Sequence, residues 1–213
     1  MRHGIGKEYD YGIKFVGEYI KGKRQGKGKE YHNNRLIFEG EYLNGKKWSG
    51  KYKEYYENGK IKFEGEYLNG KNHGKCKEYY DNGKTKFEGE YLNGKNHGIC
   101  RIYNKDNLEF EGEYLNGERH GKGKEYYDNG RIKFEGEYIK GKKWNGIGYN
   151  PRNNKIFELK GGLGIVKEYD NKGNLIFEGE YLNGERWQGK GYEINSKGKL
   201  ISKYEYLKGK IKY

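Results

Sequence analysis

The 213-residue chain has no alanine, one proline (Pro151), one methionine, one threonine (Thr85), three serines and two cysteines. Without alanine, and with methionine and glutamine nearly absent, the residues that favour helices are missing, which argues against a helical or α/β fold. No apolar run exceeds three residues, as at Leu36–Phe38 and Leu175–Phe177. A membrane-spanning helix needs about 20. The opening MRHGIGKEYD likewise lacks the apolar stretch of a secretory leader. Cys76 and Cys100 are too few for a disulfide framework, and free thiols fit a reducing compartment. The chain is expected to be folded, soluble and cytoplasmic.

What is abundant points the other way. There are 24 Tyr, 8 Phe and 3 Trp, and 37 Gly. Aromatic residues suit strands and glycine suits tight turns. Disordered chains are highly charged but poor in aromatics, so this composition implies order. Lys plus Arg is 44 against 31 Asp plus Glu, a net charge of +13, which favours acidic partners: a protein face, an anionic lipid surface or nucleic acid.

The sequence repeats almost verbatim. Phe-Glu-Gly-Glu-Tyr starts at Phe38, Phe63, Phe87, Phe110, Phe134 and Phe177, with a variant at Phe15 and a worn copy, Phe-Glu-Leu-Lys-Gly, at Phe157. Successive starts lie 23, 25, 24, 23, 24, 23 and 20 residues apart. Within one copy Phe63, Gly65 and Tyr67 alternate with Glu64 and Glu66, the period of a strand with unlike faces. Asn69-Gly70 then supplies a hairpin turn, Gly74–Tyr80 reads as the returning strand, and Asp81-Asn82-Gly83 as the next turn. The fold predicted is all-β: an elongated single-sheet antiparallel meander of consecutive hairpins, a twisted rod with an aromatic groove. Its eight to nine units of 23–25 residues fill residues 1–213 as one domain. Pro151 and the worn copy at Phe157 predict an irregularity at about 149–164.

Most chemical motifs dissolve on this repeat. His73, His97 and His120 occupy one repeat position, but equivalent positions in consecutive hairpins are ~9.6 Å apart, too far to share a metal whose ligands lie ~2 Å from it. Cys76 and Cys100 are separated likewise, beyond disulfide reach. The Glu64 and Glu66 pair recurs along the chain among lysines, as cross-strand charge pairing on a solvated face requires. Gly-x-Gly segments such as Gly26-Lys27-Gly28 lead into strands and lack a dinucleotide or P-loop fingerprint. No enzyme activity, cofactor or metal is expected.

The recurring Gly-x-Tyr-x-x-Gly-Lys-x-x-Gly-x-Gly pattern, seen with Glu118 in place of the lysine in Gly112–Gly123, resembles the MORN repeat. The Tyr79–Lys86 continuation, Tyr-Tyr-Asp-Asn-Gly-Lys-x-Lys, is similar to the MORN variant of bacterial antitoxin-like proteins. The resemblance covers essentially the whole chain. It implies a role like those of MORN repeats in membrane-junction proteins, cytoskeletal scaffolds and myosin-binding adaptors: a non-catalytic scaffold binding a protein partner, at the cytosolic face of a membrane where it meets lipid. The alternative implied is peripheral binding of phosphoinositide or phosphatidylserine.

Two residue sets follow as candidates. The basic–aromatic turns Lys46-Lys47-Trp48, Lys142-Lys143-Trp144 and Arg186-Trp187 combine cations with rings suited to a lipid interface or an acidic partner. Tyr42, Tyr67, Tyr91, Tyr114, Tyr138 and Tyr181 would line a groove for a protein segment. Single-stranded nucleic acid ranks third, because glutamates in the same sheet break a phosphate track. An open meander also has free edges, so end-to-end self-association is an expectation, countered by Lys208, Lys210 and Lys212.

Overall fold

The computed structural model describes residues 2–212. The chain divides into two compact units, Met1–Gly98 and Ile99–Tyr213. Both are all-β, and no helix occurs among the described residues.

The first unit is a meander of β1 (Gly4–Asp10), β2 (Ile13–Ile20), β3 (Lys23–His32), β4 (Arg35–Leu43), β5 (Lys46–Tyr55), β6 (Ile61–Leu68), β7 (Lys71–Tyr79) and β8 (Thr85–Leu92). Each strand pairs antiparallel with the next. The strand β9 (Lys95–Asn104) spans the division.

The second unit contains β10 (Asn107–Leu115), β11 (Glu118–Tyr126), β12 (Ile132–Ile139), β13 (Lys142–Tyr149) and β14 (Lys155–Leu159), paired in the same order. Then come β15 (Gly164–Tyr169), β16 (Leu175–Leu182), β17 (Glu185–Ile194), β18 (Leu200–Leu207) and β19 (Lys210–Lys212), which form a separate sheet. The interruption falls where the repeat is worn. There β14 is only five residues long and is followed by a tight turn closed by Lys160 and Leu163.

Turn chemistry sets the strands. At Asn44-Gly45 both residues have positive φ, 52° and 87°, the two-residue turn whose twist matches a hairpin. Glycine also thins the sheet where rings cross it. A side chain on Gly17 would lie 2.5 Å from the Phe15 ring and 2.7 Å from Gly28, its cross-strand partner. Over such glycines Phe15, Tyr19, Phe38 and Tyr42 pack edge-to-face with centroids 4.8–5.5 Å apart, a geometry the ring quadrupoles favour.

The other face carries the paired charges. Lys29 meets Glu39 at 2.8 Å, Lys53 meets Glu64 at 3.2 Å and Lys77 meets Glu88 at 3.0 Å. These pairs are half-exposed, so each contributes at most about 1 kcal/mol.

Turns also stack on turns. Gly45 N–H donates to Arg24 C=O at 2.9 Å, Asn69 N–H to Trp48 C=O at 2.7 Å and Gly94 N–H to Asn72 C=O at 2.9 Å. In the second unit Gly162 N–H donates to Trp144 C=O and Gly184 N–H to Gly162 C=O. The turn ladder thus runs through the worn repeat although strand pairing does not.

Candidate functional site

The aromatic face holds an array of internal ion pairs. Each lies where a returning strand leaves its turn and places a cation over the phenylalanine of the strand before it. Arg24 stands 4.4 Å above the Phe15 centroid, Lys47 5.4 Å above Phe38, Arg119 4.1 Å above Phe110, Lys143 4.9 Å above Phe134 and Arg186 4.8 Å above Phe177. Such contacts strengthen when shielded from water.

Glutamates on the same face complete the charge balance. Glu30 receives Arg24 at 2.9 Å, Lys47 at 2.7 Å and the Tyr42 hydroxyl at 3.2 Å. Arg24 also reaches Glu8 at 3.1 Å. In the second unit Glu125 receives Arg119 at 2.7 Å and Lys143 at 2.8 Å. Glu168 is held by two Arg186 nitrogens, at 3.0 and 2.8 Å, and by the Tyr181 hydroxyl.

The electrostatics follow from burial and charge in opposition. Burial works to raise the Glu125 carboxyl, but Lys143 and Arg119 overcome it and hold the group down at about 2. Burial likewise opposes ionisation of Glu168, and the bonds and charge of Arg186 prevail to lower it. The phenols of Tyr42, Tyr138 and Tyr181 are raised by burial first and by their neighbouring glutamates second.

These contacts divide the basic turns. Lys47, Lys143 and Arg186 point inward, with side chains 22 %, 19 % and 25 % exposed and committed to glutamates. Lys46 is exposed, and Lys142 pairs at 3.0 Å with the exposed Glu185. Trp48 is 40 % exposed, while Trp144 and Trp187 are half-buried. Among the tyrosines, Tyr42, Tyr114 and Tyr138 are buried as core, and Tyr67, Tyr91 and Tyr181 are half-buried. At the opposite turns Lys60 and Arg131 reach the next turn's carbonyls, at Asn82 and Pro151.

A row of lysines remains on one edge of the first unit. Lys23, Lys46, Lys71 and Lys95 each open a returning strand, all four are exposed, and none forms an ion pair among the described residues. Alternation explains the contrast with Lys47: adjacent residues on a strand face opposite ways.

The repeated Lys-Glu-Tyr triplet, as at Lys29-Glu30-Tyr31 and Lys124-Glu125-Tyr126, was the signal for the internal glutamates. Its central residue shares a face with the glycine two positions earlier, and therefore with the rings. The glutamates of Phe-Glu-Gly-Glu-Tyr fall on the other face, where they pair with lysines. The histidines pack locally: His73, His97 and His120 are half-buried, and no group of three His, Cys, Asp or Glu is placed to hold a metal among the described residues. Among the described residues no helix is long and apolar enough to cross a membrane.

The architecture defines a class: a repeat array of antiparallel hairpins, each stabilised by its neighbours. The MORN repeat model matches residues 15–35, 87–107 and 110–130, and the MORN repeat variant model matches 48–69, 72–93 and 163–183. The chain belongs to the MORN-repeat family, a non-enzymatic repeat type associated in general with protein or membrane-lipid interaction. No curated protein matches it.

Proposed function

We propose that this chain is a non-catalytic interaction scaffold that docks an acidic protein surface along the lysine edge of its first unit. The observation that carries this reading is the row Lys23, Lys46, Lys71 and Lys95. These cations are exposed and unpaired, whereas those of the aromatic face are neutralised internally. Consecutive members recur every second strand, ~9.6 Å apart, comparable with the Debye length of ~10 Å at 0.1 M salt. They therefore act on a polyanion together. The test is binding of an acidic peptide to the wild type and to a variant carrying Lys→Glu at all four positions, across a salt series. Salt-sensitive binding lost in the variant supports the proposal, and equal binding by both contradicts it.

A second reading, peripheral binding of anionic phospholipid, is favoured by Trp48, which is 40 % exposed two residues from Lys46. Vesicles containing phosphatidylserine or phosphoinositide separate the two. Pelleting that also requires Trp48 favours lipid, and none at low salt leaves the protein partner.

A further inference from the structure

Five of the eight phenylalanines lie beneath a cation supplied by the next strand, and all five are fully buried. Phe15, Phe38, Phe110, Phe134 and Phe177 each have 0 % exposure. Phe63, Phe87 and Phe157 have no such cation and are 6 %, 4 % and 9 % exposed. In the first unit the reason is a residue change. The position of Arg24 and Lys47 is taken by Asn72 on β7 and Asn96 on β9. An asparagine is too short to cover the ring and carries no charge.

The other components are retained. In four of these five hairpins the cation over the phenylalanine reaches a glutamate of the preceding strand: Arg24 to Glu8, Lys47 to Glu30, Lys143 to Glu125 and Arg186 to Glu168, whereas Arg119 pairs with Glu125 on its own strand. The equivalent residues are Glu54 beside Phe63 and Glu78 beside Phe87. Their side chains are 41 % and 26 % exposed, against 10 % for Glu30. Each already accepts a tyrosine hydroxyl, Glu54 from Tyr52 at 2.9 Å and Glu78 from Tyr91 at 2.6 Å. Each also meets one exposed lysine, Lys62 at 3.4 Å and Lys86 at 3.2 Å. A carboxylate has further lone pairs, and Glu30 accepts three partners at once.

We infer that Glu54 with Phe63, and Glu78 with Phe87, form two adjacent subsites that take arginine side chains of a basic peptide in the polyproline II conformation. Arginine suits them because its planar guanidinium stacks on a ring while bonding a carboxylate. Lying one repeat apart, the subsites are separated by ~9.6 Å, close to the ~9.3 Å of one three-residue turn of polyproline II helix, which returns residues i and i+3 to the same face. The recognised pattern is therefore Arg-x-x-Arg. This surface is distinct from the lysine edge and opposite to it in charge preference. With a net charge of +13, general attraction does not draw a basic peptide to this protein, so binding has to be local.

The test is calorimetric titration of the full chain with a neutral peptide bearing Arg-x-x-Arg and with its Gln-x-x-Gln counterpart. The Asn72→Arg/Asn96→Arg double variant fills both subsites from within. Arginine has a precedent there, because Arg24 makes the same turn-ladder bond as Asn72. The expected result is binding of the arginine peptide only, weakened at least roughly tenfold in the double variant, whose melting temperature holds or rises. Failure of the wild type to discriminate the peptides, or unchanged affinity in the double variant, overturns the inference. Should the double variant melt lower, Glu54→Gln/Glu78→Gln decides: weakened binding supports the subsites and unchanged affinity overturns them.

Discussion

Lys143 donates to Glu125 at 2.8 Å, and the two side chains are only 19 % and 14 % exposed. Removing one partner leaves the other charge buried without compensation, which typically costs about 3–5 kcal/mol. The relationship also fixes a pH dependence. The folded carboxyl of Glu125 is held at about 2, below the ~4.3 of an unfolded glutamate. A depressed carboxylate contributes stability that is present above the unfolded value and lost as pH falls through the folded one. The unfolding free energy is therefore expected to fall between about pH 4.5 and pH 2, by roughly 3 kcal/mol from this residue, and the denaturant midpoint falls with it. In Glu125→Gln that part of the acid dependence disappears, measured as a flatter midpoint-against-pH curve.

Two glycines five residues apart, Gly136 and Gly141, separate close packing from turn geometry. A side chain on Gly136 would lie 2.1 Å from Asn145 C=O and 2.6 Å from Gly146 Cα. Gly141 has open space but a φ of +79°. Gly136→Ala is expected to cost about 3 kcal/mol or more, because backbone must move. Gly141→Ala costs only about 1–2 kcal/mol of left-handed strain. Chemical denaturation of both variants checks the order, and equal losses would contradict the close cross-strand backbone approach at Gly136.

Cys76 is 3 % exposed, and burial pushes its thiol up to about 11. At pH 8 its thiolate fraction is on the order of one in a thousand, so a disulfide reagent should react slowly with it. In a Cys100→Ser background, labelling is expected to accelerate only where denaturant unfolds the chain. Rapid labelling of the native protein would show that this strand opens locally.

Much of this was legible from residue order. Hairpins, turns and the Phe–Gly–Tyr face follow from a period of two and from repeated Asn-Gly. Which lysine faces inward was not legible from composition alone. The hairpins carry bulges of two kinds. Between β2 and β3 the register shifts by two residues, whereas between β4 and β5 it shifts by one. The extra residue before Gly50 moves the turn-ladder carbonyl from the cation position to Trp48. Counting along the sequence therefore aligns Trp48 with His73, although their bulges differ. The glutamate–cation chain was hidden for a related reason: its members come from three consecutive strands and meet only once the register is known.

Lys46 and Lys47 provide the most direct test, since they are adjacent in sequence and opposite in role. Lys46 is exposed and unpaired, whereas Lys47 is bound to Glu30 at 2.7 Å. Lys46→Glu and Lys47→Glu should be compared for both melting temperature and acidic-peptide affinity. The account predicts that Lys46→Glu keeps the wild-type melting temperature and binds several-fold more weakly, and that Lys47→Glu unfolds earlier by about 3–5 kcal/mol. A stable Lys47→Glu variant, or a Lys46→Glu variant that binds like the wild type, would contradict the division of the lysines on which the account rests.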